Sequence, residues 1–277
     1  MYTRQTIQNE IAKAVDAARK TNPLVGSITN DVTINLVANA QLAVGGSAAM
    51  LYLEQESEEL IEFANSFYIN MGTLLPLHEE TLPNVAKLLH ESGKPWVLDP
   101  VAVGIGAMRT VILTQMKASK PTIIRGNASE VKALADLWVL ISGEDFNVRG
   151  VDATDSVTSA KDAAKALARY TGGAVAVSGA TDLITDGKMV ILSHGGSPLF
   201  EKITGAGCSL GGVTAVYAAV ASPFIAALTA TAIYNHCGFR AAKDAHGPGS
   251  FQTLFLDELY NASALEVAQN TFEILED

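Results

Sequence analysis

The chain has 277 residues, of which 48% are apolar and 17% are charged, so it has ample material for a large buried core. Its 19 Lys and Arg residues stand against 29 Asp and Glu residues, which gives a net charge of −10. This balance excludes a broad surface for nucleic acid or for an anionic membrane. Any anionic ligand must therefore be held locally by a few groups.

The cysteines and the first residues predict a cytoplasmic protein. Cys208 and Cys237 show no pattern of pairs, which is typical of a reduced compartment rather than of a disulfide scaffold. Residues 1–20 alternate charged and apolar positions at helical spacing and contain no apolar core of a signal peptide. We therefore expect the chain to act in the cytoplasm.

Along most of the chain, short β-rich runs alternate with longer helical patterns. Runs bounded by Gly, Pro or Asn predict five buried strands, at residues 23–28, 67–70, 96–99, 122–125 and 174–178. The patterns between them predict helices at residues 81–92, 130–140 and 156–170. This alternation predicts an α/β fold with a mostly parallel central sheet flanked by helices.

Residues 182–193 depart from this alternation. Two short strand patterns are joined there by Asp186-Gly187, a strong hairpin signal, and they predict an antiparallel edge on the sheet. No linker, low-complexity stretch or internal repeat interrupts the sequence. We therefore expect residues 1–277 to form a single domain.

Residues 203–239 contain no Asp, Glu, Lys or Arg. An uncharged stretch of that length is compatible with a membrane span. However, Ser222-Pro223 interrupts it, and it is rich in Ala, Gly and Thr rather than in Leu and Ile. We interpret it as two helices buried in the core and expect no membrane insertion.

Polar residues end the predicted strands, and in parallel sheets ligands bind at the carboxyl ends of the strands. The residues at these ends are Asn30, Asn70, Asp99, Arg125 and Ser178. We expect the chemistry of the protein at this edge of the sheet.

A glycine-rich turn precedes the first of the two uncharged helices. Its glycines are Gly205, Gly207, Gly211 and Gly212. If the helix begins near Gly207, its first N–H groups and the positive end of its dipole form an anion site. The turn matches neither a P-loop nor a dinucleotide fingerprint. The alternative is a helix packed closely through glycines.

Cys208 falls in the first turn of that helix. The helix dipole and nearby donors would lower the pKa of the thiol, so that it could accept a proton or orient a ligand. The alternative is a small buried apolar side chain, which is a common role for cysteine.

The turn within ITGAGCSLGGVTAVYAAV resembles the signature of hydroxyethylthiazole kinases of the ribokinase-like superfamily. Five further blocks of the chain resemble the family, four before the turn and one after it. In chain order they are PLVGSITNDVTINLVANAQLAVGGSAAM, INMGTL, VLDPVAVG, IIRGNASEVKAL and HGPGSFQTLFLDELY. The resemblance implies a three-layer sandwich that uses ATP and Mg²⁺ to phosphorylate the hydroxyl of 4-methyl-5-(2-hydroxyethyl)thiazole in thiamine salvage. It also implies a homotrimer with active sites between subunits.

The resemblance assigns roles to particular positions. Cys208 takes the place of a catalytic base, at a turn where Gly205 and Gly207 bind the phosphoryl group. The positions implied to contact the thiazole are Met50, Asn30 and Gly205. The positions implied to bind the nucleotide are Arg125, Ser178 and Asn127. Those implied to act at the magnesium ion and its waters are Glu130 and Asp99. Because phosphoryl transfer depends mostly on positioning and charge stabilisation, we expect Cys208 to help without being indispensable.

Several of these residues also have a purely structural interpretation. Asn127 and Glu130 match a capping box at a helix start, a role that is compatible with metal binding. Arg125 has a surface ion pair as its alternative, although an Arg before a Gly-Asn helix start favours phosphate.

The other four implied site residues have structural alternatives as well. Ser178 is equally consistent with a simple strand end. Asp99 precedes Pro100 and is compatible with a turn. Met50 is compatible with ordinary core packing. Asn30 is compatible with capping a helix that starts at Asp31.

The sequence departs from the family pattern at two pairs of residues. Val25-Gly26 stands where His-Cys or similar is usual, and Ala48-Ala49 stands where Ser-Pro is common. We expect these departures to lie beside the substrate and to leave ATP binding untouched. Two other functions stay open at this point: a nucleotide-dependent dehydratase on the same fold, against which Cys208 argues, and a thiazole-binding protein without catalysis.

Overall fold

The computed structural model describes residues 3–141 and 157–275. The strands of these residues are β1 (Leu24–Ile28), β2 (Ser47–Met50), β3 (Ser66–Asn70), β4 (Trp96–Asp99), β5 (Ile123–Asn127), β6 (Ala174–Ser178), β7 (Asp182–Thr185), β8 (Val190–Ser193) and β9 (Phe272–Leu275). The helices are α1 (Arg4–Thr21), α2 (Ile34–Ala43), α3 (Glu54–Phe63), α4 (His78–Glu91), α5 (Ala107–Met116), α6 (Ala128–Leu137), α7 (Lys161–Thr171), α8 (Ala206–Ala218), α9 (Pro223–Asp244), α10 (Pro248–Asn261) and α11 (Ala264–Ala268).

The strands form one sheet in the order β2-β1-β3-β4-β5-β6-β7-β8-β9. All pairs from β2 to β6 are parallel. The pairs from β6 to β9 are antiparallel. The α/β fold with a mostly parallel sheet is therefore confirmed, and the predicted hairpin at Asp186-Gly187 lies on its antiparallel side.

The observed elements differ from the predicted ones in a few places. The helix predicted at residues 156–170 begins as a 3₁₀ turn, Val157–Ala160, before α7, and residue 156 lies outside the described residues. Strands β2 and β9 were not predicted. The sequence of β2, Ser-Ala-Ala-Met, consists mostly of small residues with weak strand preference. Its pairing with β1 supplies the structure that its own residues do not indicate.

Helices cover both faces of the sheet and give the molecule three layers. One apolar cluster joins the sheet to α1, α2, α8, α9, α10 and α11. A second cluster lies on the other face and joins the sheet to α3, α4, α5, α6 and α7. The uncharged residues 203–239 supply α8 and most of α9, whose side chains are largely buried. None of the helices within 3–141 and 157–275 has the length and apolar character that a bilayer crossing requires.

The two departures from the family pattern are neighbours across the β1–β2 ladder. Val25 pairs with Ala48, and Gly26 pairs with Ala49. Val25 is fully buried in the first apolar cluster. A Cβ at Gly26 would lie 2.4 Å from the Phe67 ring, so that ring already fills the space of the missing side chain. Val25 and Gly26 thus pack in the core, and their position beside the substrate stays a prediction. Ala48 and Ala49 are only half-buried.

A Gly26→Ala substitution tests this packing. The added methyl group overlaps the Phe67 ring, and overpacking of this kind costs about 1–3 kcal/mol. We expect urea unfolding to show that loss of stability. The double variant Gly26→Ala/Phe67→Leu should recover part of it, since the smaller side chain vacates the space. An unchanged midpoint for the single variant would contradict the packing described here.

Candidate active site

Polar side chains from several parallel strands meet at the carboxyl edge of the sheet. Asn70 at the end of β3 pairs with Asp99 at the end of β4. Asn127 at the end of β5 pairs with Ser178 at the end of β6. Asn30 follows β1 and donates from Nδ2 to Asn70 Oδ1 at 2.8 Å. The strand-end residues singled out from the sequence thus lie along one edge of the sheet.

Arg125 is buried at the centre of this edge. Its Nη2 donates to Ser178 Oγ at 2.8 Å, and its Nη1 lies 3.4 Å from Asp99 Oδ2. Burial lowers the pKa of Arg125, but the Asp99 and Glu130 carboxylates outweigh this effect and raise that pKa overall. Arg125 is therefore a charged group inside the protein, and the surface ion pair considered from the sequence is excluded.

The guanidinium of Arg125 lies against the beginning of α8. A Cβ at Gly207 would come within 2.6 Å of Arg125 Nη1 and 2.8 Å of Nη2. Glycine at this position therefore gives the guanidinium its room. The contact brings a full positive charge to the N-terminus of a helix, where the dipole is also positive.

Helix α8 begins at Ala206, with Gly205 as its N-cap at φ 89°. The first hydrogen bond within the helix runs from Ser209 N to Gly205 O at 2.8 Å. The N–H groups of Ala206, Gly207 and Cys208 precede it and have no partner of that kind. A Cβ at Gly205 would lie 2.9 Å from the Thr33 side chain, so both the positive φ and the close contact require glycine.

Cys208 lies beside Asn30 at the same turn. Asn30 Nδ2 donates to Cys208 Sγ at 3.6 Å. Asn30 does not cap a helix at Asp31, since α2 begins at Ile34. Its backbone carbonyl instead accepts hydrogen bonds from the backbone N–H groups of Thr33 and Ile34 at 3.1 and 3.0 Å. The side chain of Asn30 is thereby free to point at Asn70 and Cys208.

The acid strengths of Cys208 and Asp99 reflect their burial. Burial and the Asp99 carboxylate raise the pKa of the Cys208 thiol. The expected lowering of that pKa by the helix start is therefore wrong. Burial also raises the pKa of Asp99 to about 6, although Arg125 opposes this effect. At neutral pH the site contains a neutral thiol next to an ionised carboxylate.

The capping box at the start of α6 is confirmed. Asn127 Oδ1 accepts from Glu130 N at 2.9 Å, and Glu130 Oε2 accepts from Asn127 N at 2.9 Å. Glu130 Oε1 also accepts from Ala102 N at 3.2 Å. Glu130 is buried with its carboxylate fixed near Asp99, whose pKa it raises. The cap therefore holds Glu130 in one orientation.

Asp99 and Glu130 are compatible with a hydrated magnesium ion. Asp99 Oδ1 is buried without a hydrogen-bond partner, and an oxygen of this kind is commonly satisfied by an ion or a water. The described residues contain no group of three or more His, Cys, Asp or Glu side chains that could hold a metal. Magnesium usually retains several waters and takes one or two protein carboxylates together with substrate phosphates. The pair fits that kind of site better than an all-protein cage.

Met50 ends β2 at the same carboxyl edge. It pairs in register with Ser27 and packs, half-buried, against the first apolar cluster. The structure thus supports its core interpretation and leaves part of its side chain exposed.

Two residues of this site were not assigned a role from the sequence. Tyr68 OH donates to Asp99 Oδ2 at 3.0 Å, and Asn70 Nδ2 donates to the same oxygen at 3.1 Å. Asn70 was recognisable only as a polar strand end. Tyr68 lies within a buried strand, where its sequence context indicates core packing alone.

Comparison with known proteins supports the family resemblance over most of the chain. The model of the hydroxyethylthiazole kinase family matches residues 15–264. The hydroxyethylthiazole kinase of Bifidobacterium adolescentis is 52% identical over 274 residues, covering 95% of this chain and 93% of its own. That of Cereibacter sphaeroides is 44% identical over 249 residues, covering 90% of this chain and 92% of its own.

The chain belongs to the hydroxyethylthiazole kinase family. The solved structure of a hydroxyethylthiazole kinase protein from Pyrococcus horikoshii superimposes with a TM-score of 0.86 at 31% identity, covering 96% of this chain and 99% of its own. A ribokinase-like superfamily protein from Enterococcus faecalis shares the fold, with a TM-score of 0.62 at 13% identity over 93% of this chain and 94% of its own. The family and the ribokinase-like fold are thus confirmed. These matches do not support the dehydratase or the non-catalytic binding protein.

Gly207→Ala is a direct test of the contact between Arg125 and α8. The methyl group would displace a guanidinium that Ser178 and Asp99 hold, so we expect kcat/KM for ATP to fall about 10- to 100-fold, as a misplacement of about 1 Å can produce. The measurement is steady-state ADP release by the folded variant. Gly249→Ala is the matched control, because a Cβ there meets no atom within 4 Å. Equal rates for the two variants would contradict a role for the contact.

Proposed function

We propose that this protein transfers the γ-phosphoryl group of ATP to the hydroxyl of 4-methyl-5-(2-hydroxyethyl)thiazole in thiamine salvage, as one cytoplasmic kinase domain spanning residues 1–277. The observation that carries the proposal is the Arg125 guanidinium against Gly207 at the N-terminus of α8. A protein with a net charge of −10 thereby concentrates positive charge and free N–H groups at one point. The family's name supplies the acceptor.

The phosphoryl group is bound at the α8 turn in this mechanism. The N–H groups of residues 205–208 and the Arg125 guanidinium meet the charge that grows on the phosphate oxygens in the transition state. Ser178 orients Arg125 through its hydrogen bond of 2.8 Å. Asn127, next to Ser178 in the β5–β6 ladder, takes the nucleotide side.

Asp99 and Glu130 would hold magnesium through its waters. When bound, the ion neutralises charge on the phosphates. The residues of this chain fix the two carboxylates: the α6 capping box orients Glu130, and Tyr68 and Asn70 each donate a hydrogen bond to Asp99 Oδ2.

The acceptor alcohol approaches from the side of Asn30, Gly205 and Met50. Cys208 then lies near the attacking hydroxyl. Since its thiol is neutral at pH 7, it orients that hydroxyl by hydrogen bonding more than it removes the proton. This role agrees with a transition state that needs positioning more than a strong base.

The edge of the sheet next to Met50 is suited to contact with a second copy of the chain. Strand β2 is an edge strand with half-buried residues throughout, and the neighbouring Val32 and Leu53 are exposed. Unpaired edge strands with apolar neighbours are places where proteins associate. We place the subunit contacts of a homotrimer here, with the thiazole site between subunits.

The test of the proposed function is a coupled ADP-release assay over a panel of hydroxyethyl heterocycles, sugars and pyrimidines with Mg·ATP. We expect the thiazole alcohol to give the highest kcat/KM. Tight thiazole binding in calorimetry with no ADP released over hours would reject the kinase. A higher kcat/KM for a sugar or a pyrimidine would reject the acceptor and keep the reaction type.

Cys208→Ala tests how the thiol acts. We expect kcat to fall about tenfold with little change in the KM for ATP, as loss of a single positioning group can produce. The ratio of wild-type to variant kcat should stay constant between about pH 6.5 and 8.5, because a thiol with a raised pKa stays protonated there. A ratio that climbs tenfold per pH unit would instead identify a thiolate base.

A further inference from the structure

Asn70 connects the two halves of the candidate site through four hydrogen bonds. It ends β3 and is 2% exposed. Its Oδ1 accepts from Gly72 N at 2.9 Å and from Asn30 Nδ2 at 2.8 Å. Its Nδ2 donates to Tyr68 OH at 2.8 Å and to Asp99 Oδ2 at 3.1 Å. Both donors and both acceptor positions of this amide are therefore used.

The backbone fixes which way the Asn70 amide points. The Gly72 N–H can only donate, so the atom of Asn70 that faces it must be the oxygen. The nitrogen of Asn70 then faces the Asp99 carboxylate, which accepts. The same oxygen requires Asn30 to present its own nitrogen, and that nitrogen is the atom that donates to Cys208 Sγ.

Gly72 allows this close arrangement of the two amides. A Cβ at Gly72 would lie 2.7 Å from Asn30 Nδ2 and 2.9 Å from Asn70 Oδ1. The Tyr68 hydroxyl completes the cluster, since it accepts a hydrogen bond from Asn70 and donates one to Asp99. The donor and the acceptor of every hydrogen bond in the cluster are therefore determined.

We propose that Asn70 is a positioning residue that orients Asn30 toward Cys208 through its oxygen and holds the Asp99 carboxylate beside Arg125 through its nitrogen. The acceptor side and the phosphate side of the site are thereby set by one amide. With Asn30 donating to its sulfur at 3.6 Å, the Cys208 thiol is held on the acceptor side of the site. This inference rests on the proposed function.

The test compares Asn70→Ala with Gln41→Ala. Gln41 is also a fully buried amide, which donates to Ser27 Oγ at 2.9 Å and to the Gly212 carbonyl at 3.2 Å, outside the catalytic cluster. We expect Asn70→Ala to lower kcat about 10- to 100-fold with each KM within about threefold of wild type. Gln41→Ala should lower the melting temperature to a similar extent while kcat stays within about twofold of wild type. Equal losses of kcat in both variants, or an unchanged kcat for Asn70→Ala, would overturn the proposal.

A double-mutant cycle with Cys208→Ala separates positioning from general destabilisation. If Asn70 acts partly through Asn30 and Cys208, its removal should cost at least about threefold less in the Cys208→Ala background. An identical cost in both backgrounds would overturn the link to Cys208. If Asn70→Ala does not fold, Asn70→Asp replaces it. That variant keeps the oxygen facing Gly72 and Asn30 and puts a second carboxyl group in place of the amide donor that faces Asp99, so a lower kcat is again expected and an unchanged kcat overturns the proposal.

Two features keep this inference separate from the proposed function. Rates are measured with whichever alcohol of the panel the wild-type protein phosphorylates. An error in the proposed acceptor would therefore change the substrate preference of the wild type, but not the ratio of variant kcat to wild-type kcat. A crystal structure of Asn70→Ala needs no turnover. We expect the Asn30 amide in it to leave hydrogen-bonding distance of Cys208, and an Asn30 amide that stays in place would overturn the positioning role.

Discussion

The site is organised around one buried cation. A guanidinium removed from water is stable only with charged and hydrogen-bonding partners around it. Arg125 finds them in Asp99 and Ser178 on the two neighbouring strands. These partners hold its planar group against Gly207, where a side chain would displace it. The position of the first turn of α8 and that of Arg125 therefore depend on each other.

The carboxylate that neutralises Arg125 is itself an expensive group to bury. Asp99 is fully buried, and hydrogen bonds from Tyr68 and Asn70 lower the cost of its charge. Each buried polar group thus needs a further hydrogen-bond partner. Asn70, which donates to Asp99, in turn accepts from Asn30 and from the backbone N–H of Gly72. The proposed phosphate site lies in an acidic protein whose long-range electrostatics would repel the ligand, so its positive charge has to be held locally by supported groups of this kind.

The sequence was sufficient for the parts of the fold that local chemistry determines. Alternating patterns predicted the parallel strands, Asp186-Gly187 predicted the hairpin, and the Asn127 to Glu130 spacing predicted the capping box. Strand β2 was not predicted because its small residues have weak strand preference and it is stabilised by pairing with β1. The pKa of Cys208 was predicted in the wrong direction because burial and Asp99, both consequences of the tertiary structure, outweigh the helix start. Tyr68 escaped because a buried tyrosine in a strand is indistinguishable from core in the sequence alone.

The neutral state of Cys208 also bears on the durability of the protein. Peroxides and electrophiles react with thiolates far faster than with thiols. A cysteine whose surroundings keep its proton in place is thus spared most oxidative damage, even though its side chain is not fully buried. Burial, and after it the Asp99 carboxylate, keep the Cys208 thiol from ionising and therefore also protect its sulfur atom.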